Sequence, residues 1–179
     1  MLMPIRPAIF FDRDGVVNLS PGPGYVLSIE AFSLDPAIGD LLALAKSRGY
    51  LAIVVTSQKG VGKGLMTLHD LDAIHASMQA ALRERTGFEF DAIYSHTGLA
   101  DCPFPPKPDP GMIRAAAERF GIDLHSSWLI GDADRDIEMG IAAGLKGNVR
   151  VRSEKAETAT ASHTVDTVAE AVDFFRTVL

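Results

Sequence analysis

The sequence predicts an α/β fold, a Rossmann-like doubly wound parallel sheet with helices on both faces. Two observations predict it. Short apolar runs of the kind that form buried strands alternate along the chain with amphipathic stretches of helical period. Successive units of that kind are joined by right-handed crossovers, which make the strands parallel and cover both faces of the sheet. The length of 179 residues, without repeats or low-complexity segments, fits one domain spanning residues 1–179.

The elements follow in order. Ala8-Ile9-Phe10-Phe11 is an apolar run after a proline and reads as the first strand. Residues 36–48 carry Ile38, Leu41, Leu42 and Ala45 at helical spacing, with Asp35 as N-cap and Gly49 as the stop. The β-branched run Leu51–Thr56 is the second strand, and a Gly/Lys-rich loop follows from Ser57 to Met66. A helix over 67–86 places Leu68, Leu71, Ile74, Met78 and Leu82 on one face, with His69 and His75 at its surface or core edge. Ala92-Ile93-Tyr94 is the third strand, and residues 97–108 form a proline-rich loop. A helix over 110–120 starts on Pro110 and stops at Gly121. Ser127–Ile130 forms a fourth strand, 135–143 a helix, 148–152 a fifth strand and 167–178 a closing helix. The stretch 153–162 between the last two is polar, and Arg150, Arg152 and Lys155 read as a solvated end.

Composition narrows the function classes. Hydrophobic residues make up 47% and charged residues 22%, a globular balance far from a disordered one. Seventeen basic and 23 acidic residues give a net charge of −6 with no basic face, which argues against nucleic acid as a partner. The single cysteine, Cys102, excludes an internal disulfide and a four-cysteine metal site. No apolar run approaches the ~20 residues of a membrane span, and residues 1–6 do not read as a secretion signal, so a cytoplasmic protein is expected.

In a doubly wound sheet, ligands bind beyond the carboxyl ends of the strands. The first strand ends in Asp12-Arg13-Asp14-Gly15, two acids two residues apart on a sharp turn. The second ends in Thr56-Ser57-Gln58-Lys59, hydroxyls and amides suited to cradling a phosphate. Lys107, held between Pro106 and Pro108, has a stiffened backbone from which its ammonium can be aimed at an anion. The fourth strand ends in Gly131-Asp132-Ala133-Asp134-Arg135-Asp136, whose three carboxylates repel unless a cation or capping amides compensate. Asp134 is a candidate cap. Hard divalent ions such as Mg²⁺ take carboxylate oxygens and keep sites for phosphate. These are the parts of phosphoryl transfer through an aspartyl-phosphate.

With these residues in order, the chain resembles the haloacid dehalogenase superfamily of phosphohydrolases along its whole length. Asp12–Asn18 matches the first motif, Thr56 or Ser57 the second, Lys107 the third, and Gly131-Asp132 with Asp136 the fourth. The resemblance implies that Asp12 is the nucleophile and Asp14 the general acid and base. It implies a Mg²⁺ site at Asp12, Asp14, Asp132 and Asp136, and a phosphoryl grip from Thr56, Ser57 and Lys107. Neither the stretch from Asp14 to Thr56 nor that from Ser57 to Lys107 has room for a large cap domain, so a capless core is expected.

Asp14–Asn18, Gly24-Tyr25-Val26, Val55–Gln58 and Lys107–Met112 are similar to the branch holding the D-glycero-D-manno-heptose 1,7-bisphosphate phosphatases and histidinol-phosphate phosphatases. That branch implies removal of the C7 phosphate from the heptose bisphosphate that feeds lipopolysaccharide-core or surface-glycan synthesis; a monomer is expected. The sequence departs from it in places. The cysteine-rich zinc loop is reduced to His96 and Cys102, two ligands where a structural zinc site wants four, so zinc is not expected. Pro106 replaces the usual arginine, Ser57 a common asparagine, and Lys59 a common small residue. Lys59 and Lys63 are candidates for holding a second phosphate, with Gln58 beside them. Histidinol phosphate is the alternative substrate. A phospho-accepting receiver domain is the non-enzymatic alternative, disfavoured because Asp14 lies two residues past the acceptor and favours hydrolysis.

Overall fold

The computed structural model describes residues 5–179; Met1–Pro4, on which part of the leader reading rests, lie outside them. Six strands form one parallel sheet: β1 (Ala8–Phe11), β2 (Leu51–Ser57), β3 (Ala92–His96), β4 (Trp128–Gly131), β5 (Gly147–Val151) and β6 (His163–Val165). Their order is β3-β2-β1-β4-β5-β6, with each pair parallel. The chain builds outward from β1 to β3 and then returns to lay β4 beside β1. That reversal opens a crevice at the carboxyl ends of β1 and β4.

Alternation along β1 divides the core. Ile9 and Phe11 face one side, with Val54 and Ile130, against α1 (Ile38–Ser47), α2 (Leu68–Thr86) and α5 (Val168–Val178). Ala8 and Phe10 face the other, with Ile53 and Leu129, against α3 (Gly111–Phe120) and α4 (Asp134–Ala143). The four β1 residues are fully buried, so each large apolar one contributes about 1.5–3 kcal/mol of burial free energy. A smaller cluster of Val26, Val61, Met66, Leu71 and Ile74 fastens the loops after β1 and β2 onto α2. It holds the rim of the crevice in place.

The expected strands and helices form with ends shifted by one or two residues. Asp35 accepts the Ala37 amide at 2.8 Å, so it caps the turn that leads into α1, and the helix proper begins at Ile38. β6 was not expected. Its three residues carry an exposed His163 and a half-buried Thr164, so no apolar run marks it; pairing with β5 makes it a strand. Among the described residues no helix is long and apolar enough to cross a membrane.

Candidate active site

Asp12 leaves the end of β1 with its amide bonded to the Ile130 carbonyl of β4 at 2.9 Å, which seats it in the crevice. Its Oδ1 accepts the Lys107 ammonium at 2.7 Å and the Arg13 amide at 2.9 Å. The same ammonium donates to Asp136 Oδ1 at 2.7 Å. Asp136 lies in the first turn of α4, and its Oδ2 accepts the Ala133 amide at 3.1 Å. Lys107, on the loop before α3, is thus a buried cation bridging two buried carboxylates from opposite sides of the crevice. Burial pushes the Asp12 and Asp136 carboxyls up, opposed by Lys107 and reinforced by neighbouring carboxylates. For Lys107 the two carboxylates outweigh desolvation, and its ammonium is held above the usual range.

Asp132, at the end of β4, completes the centre. Ligand oxygens of Asp12, Asp132 and Asp136 lie within 4.8 Å of one another. Asp132 is 1% exposed, and burial raises its carboxyl above the ordinary range. Two glycines create the space. Gly15 has φ +94°, and a Cβ there would fall 2.3 Å from Asp132 Oδ2. A Cβ on Gly131 would fall 2.4 Å from that of Asp136. Gly15→Ala is therefore expected to cost more than about 1 kcal/mol in thermal unfolding and to abolish most turnover, because it both strains the turn and pushes Asp132 aside.

The three carboxylates fit a hard divalent ion: they supply oxygen donors, they are buried, and a single lysine between them offsets only part of their charge. The structure also places a cation on the third one. The Lys155 ammonium sits 2.6 and 2.7 Å from the two Asp132 oxygens.

Asp14 is held from two sides. Arg13, fully buried, donates through Nε and Nη2 to its Oδ1 at 3.1 and 2.9 Å. Gln58 donates to its Oδ2 at 3.1 Å and to the Thr56 hydroxyl at 2.8 Å. Gln58 therefore ties the ends of β1 and β2 together through its amide. Behind Arg13, His75 Nε2 stands 3.1 Å from Nη1. Burial, aided by the guanidinium, pushes the His75 imidazole down to about 4, so it is neutral near pH 7 and accepts this bond. The sequence reading put His75 at the surface or a core edge. It is buried and supports the arginine that grips Asp14.

Ser57 and Lys59 line a pocket of about 190 Å³ with Asp14, Arg135 and Lys155. Lys63 stands apart, with its ammonium 5.1 Å from the centre of the Tyr25 ring, itself a wall of that pocket. His96 and Cys102, which stand where the branch has its zinc loop, approach to 3.8 Å. Their donors serve the loop instead: His96 Nδ1 faces the Phe104 carbonyl at 2.8 Å, and the Cys102 thiol faces the same carbonyl at 3.5 Å.

The reading of Arg150 and Lys155 as a solvated end is corrected. Arg150 is 1% exposed and donates to Asp134 at 2.5 Å, and Lys155 is on Asp132. Asp134 is the first residue of α4, and it also accepts the Thr158 amide and hydroxyl and the Ala159 amide. These bonds, Thr158 foremost, hold its carboxyl far below the usual carboxylate range. Asp134 is a staple fixing the loop after β5 over the crevice. Arg152 does conform to the expectation, with its side chain 56% exposed.

The chain as a whole is similar to known proteins. A family model described as HAD-hydrolase-like matches residues 105–175. The chain is 36% identical over 149 residues to a D-glycero-β-D-manno-heptose-1,7-bisphosphate 7-phosphatase of Helicobacter pylori, covering 82% of this chain and 84% of the relative. The chain belongs to the HAD-like hydrolases. It is also 38% identical over 152 residues to a D-glycero-α-D-manno-heptose-1,7-bisphosphate 7-phosphatase of Burkholderia mallei, covering 77% of this chain and 76% of that one. Among solved structures it is similar to the D,D-heptose 1,7-bisphosphate phosphatase of B. bronchiseptica in complex with magnesium and phosphate. The TM-score is 0.81 at 26% identity, over 96% of this chain and 98% of the other. As a HAD-like hydrolase of this branch it is a phosphatase, and its doubly wound parallel sheet is the fold the sequence predicts.

Proposed function

We propose that this phosphatase removes the C7 phosphate from D-glycero-D-manno-heptose 1,7-bisphosphate through an aspartyl-phosphate on Asp12. The observation that carries the reading is the pairing of Asp12 and Asp14 at the end of β1 with the Lys107 bridge, in a chain whose relatives bear that activity in their names. Both bonds to the Asp12 carboxylate fall on Oδ1, leaving Oδ2 for the ligands of the site. The Asp12 carboxylate attacks phosphorus, and the sugar oxygen leaves with a proton from Asp14. Asp14 then takes a proton from the water that attacks the phosphoryl group on Asp12. Arg13 and Gln58 fix the two Asp14 oxygens in position for both transfers.

Thr56, the Ser57 amide and Lys107 hold the phosphoryl oxygens, with Lys107 offsetting the charge that gathers on them. Asp12, the Asp14 backbone carbonyl and Asp132, with Asp136 alongside, would hold Mg²⁺, which when bound supplies Lewis-acid stabilisation of the phosphoryl oxygens and offsets repulsion between carboxylate and phosphate.

A second phosphate is supported by the cations of the 190 Å³ pocket, where Lys59 and Arg135 face open space beside Ser57 and Asp14. With Pro106 in place of arginine, these residues take over recognition of the distal group, and Lys63 backs the pocket through Tyr25. The reading further has one domain, acting in the cytoplasm as a monomer, with no nucleic-acid or membrane partner. It has no zinc in the His96–Cys102 loop, whose two donors face backbone carbonyls.

Initial rates with Mg²⁺ on both anomers of the heptose bisphosphate, histidinol phosphate and simple sugar monophosphates test the substrate. The heptose bisphosphate is expected to exceed histidinol phosphate and the sugar monophosphates in kcat/KM by at least about tenfold, since a site built for a second charged group rejects analogues lacking it. The product should retain the C1 phosphate. A preference for histidinol phosphate would overturn the assignment.

A further inference from the structure

The loop after β5 is built to deliver a lysine to the carboxylate centre. At its start the Ser153 hydroxyl donates to the Asp132 carbonyl at 3.1 Å and accepts the Lys155 amide at 3.2 Å, folding the chain back over the end of β4. At its other end Thr158 and Ala159 are fastened to Asp134. Between these anchors the Lys155 ammonium reaches both Asp132 oxygens at 2.6 and 2.7 Å. Asp132 itself is fully buried, whereas the Lys155 side chain is 37% exposed. One partner is fixed and the other has room to leave.

We propose that Lys155 is a resident counter-cation of the metal centre: it neutralises Asp132 when no divalent ion is bound and must give up that carboxylate for one to enter. The inference rests on the reading that Asp12, Asp132 and Asp136 hold Mg²⁺. The ammonium engages both oxygens of Asp132, so an ion drawing on this carboxylate must break at least one bond of the pair. The buried carboxylate otherwise faces Asp12 and Asp136 with Lys107 as the one compensating ammonium between them, and Lys155 relieves that repulsion. The displaced side chain has a place to go, because Lys155 also lines the pocket it shares with Lys59 and Arg135. The lysine thus lowers the affinity of the centre for the ion and keeps the ion-free site from opening.

Direct titration of Mg²⁺ into metal-stripped protein by calorimetry at pH 8 tests this without recourse to turnover. Lys155→Met is expected to bind Mg²⁺ about three- to tenfold more tightly than the parent protein, the scale of removing one part-exposed ion pair. Lys155→Arg, which keeps a cation able to reach Asp132, should stay within about twofold of the parent. Lys59→Met removes the same charge from the same pocket without touching Asp132, and it should leave Mg²⁺ affinity nearly unchanged. An unchanged affinity in Lys155→Met, or an equal gain in Lys59→Met, would overturn the proposal, the latter because it would trace the effect to the general field. The Asp132→Asn variant separates the two readings: if it binds Mg²⁺ as the parent does, the metal centre itself is misassigned.

Discussion

Asp12→Asn is expected to lower kcat on the preferred substrate by at least about 10⁴-fold, the scale of losing a covalent nucleophile, while leaving the fold intact. Asparagine matches the shape of aspartate and retains an oxygen for the 2.7 Å bond from Lys107 and the 2.9 Å bond from the Arg13 amide. It also removes a charge that burial already disfavours. Thermal unfolding should therefore change little or shift upward. Acid-quenched parent protein mixed with substrate should yield an acyl-phosphate on the peptide containing Asp12, and the variant should yield none. A loss of only ten- to a hundredfold with the fold intact would assign Asp12 an electrostatic role and place the nucleophile elsewhere.

Lys107→Met has the larger consequence for stability. Removing the ammonium leaves Asp12 and Asp136 buried and facing one another, and deletion of one partner from a buried ion network costs roughly 3–5 kcal/mol. The loss is to be measured by chemical unfolding at pH 8 with chelator present, so that no divalent ion substitutes for the lysine. The pH dependence follows from the sign of the shifts. Burial and mutual repulsion already raise both carboxyls, and without Lys107 they rise further. The folded variant then binds more protons than the unfolded chain at pH values between the unfolded and folded carboxyl pKa values, so its stability falls as pH rises through that window. The deficit against the parent protein should accordingly shrink between pH 8 and pH 5. Turnover should fall about 10²–10³-fold at the least, the usual effect of losing one donor to a developing anion. A variant as stable as the parent at pH 8 would mean that the bridge contributes nothing net.

How much of this was legible beforehand depended on whether a residue's partner lies on a neighbouring turn or across the sheet. Asp12, Asp14, Lys107, Asp132 and Asp136 each stand just past a strand end, in a stiffened loop or in the first turn of the helix that follows a strand, so their element alone delivers them to the crevice. The roles of Arg13, His75, Arg150 and Lys155 depend on who meets them. Arg150 sits on a strand buried along its whole length, and its charge is met by Asp134, which begins the helix after the adjacent strand, and by the Ala159 carbonyl. The signal was present in principle: β5 ends on the same edge as β4, so cations near residues 150–155 arrive beside the acids at 132–136. Read only against their own neighbours, those cations look solvated. His75 is similar, since a lone histidine on an apolar helix face gives no hint of the buried guanidinium opposite it. β6 escaped notice because pairing with β5, and no pattern of its own, makes it a strand.

The return of the chain to set β4 beside β1 bears on how the protein reaches its working form. Asp12 and Asp132 are brought together only by the β1–β4 pairing, a contact between segments far apart along the chain. Until that pairing closes, the unit built from β1, β2 and β3 holds Asp12 and the loop after β2 but lacks two of the three clustered carboxylates. Long-range parallel pairings of this kind pay their loop-closure entropy before any contact rewards it, and they form slowly. Recovery of hydrolysis during refolding thus reports closure of the β1–β4 seam, and a nascent chain that has yet to complete β4 has no working centre with which to hydrolyse phosphate esters.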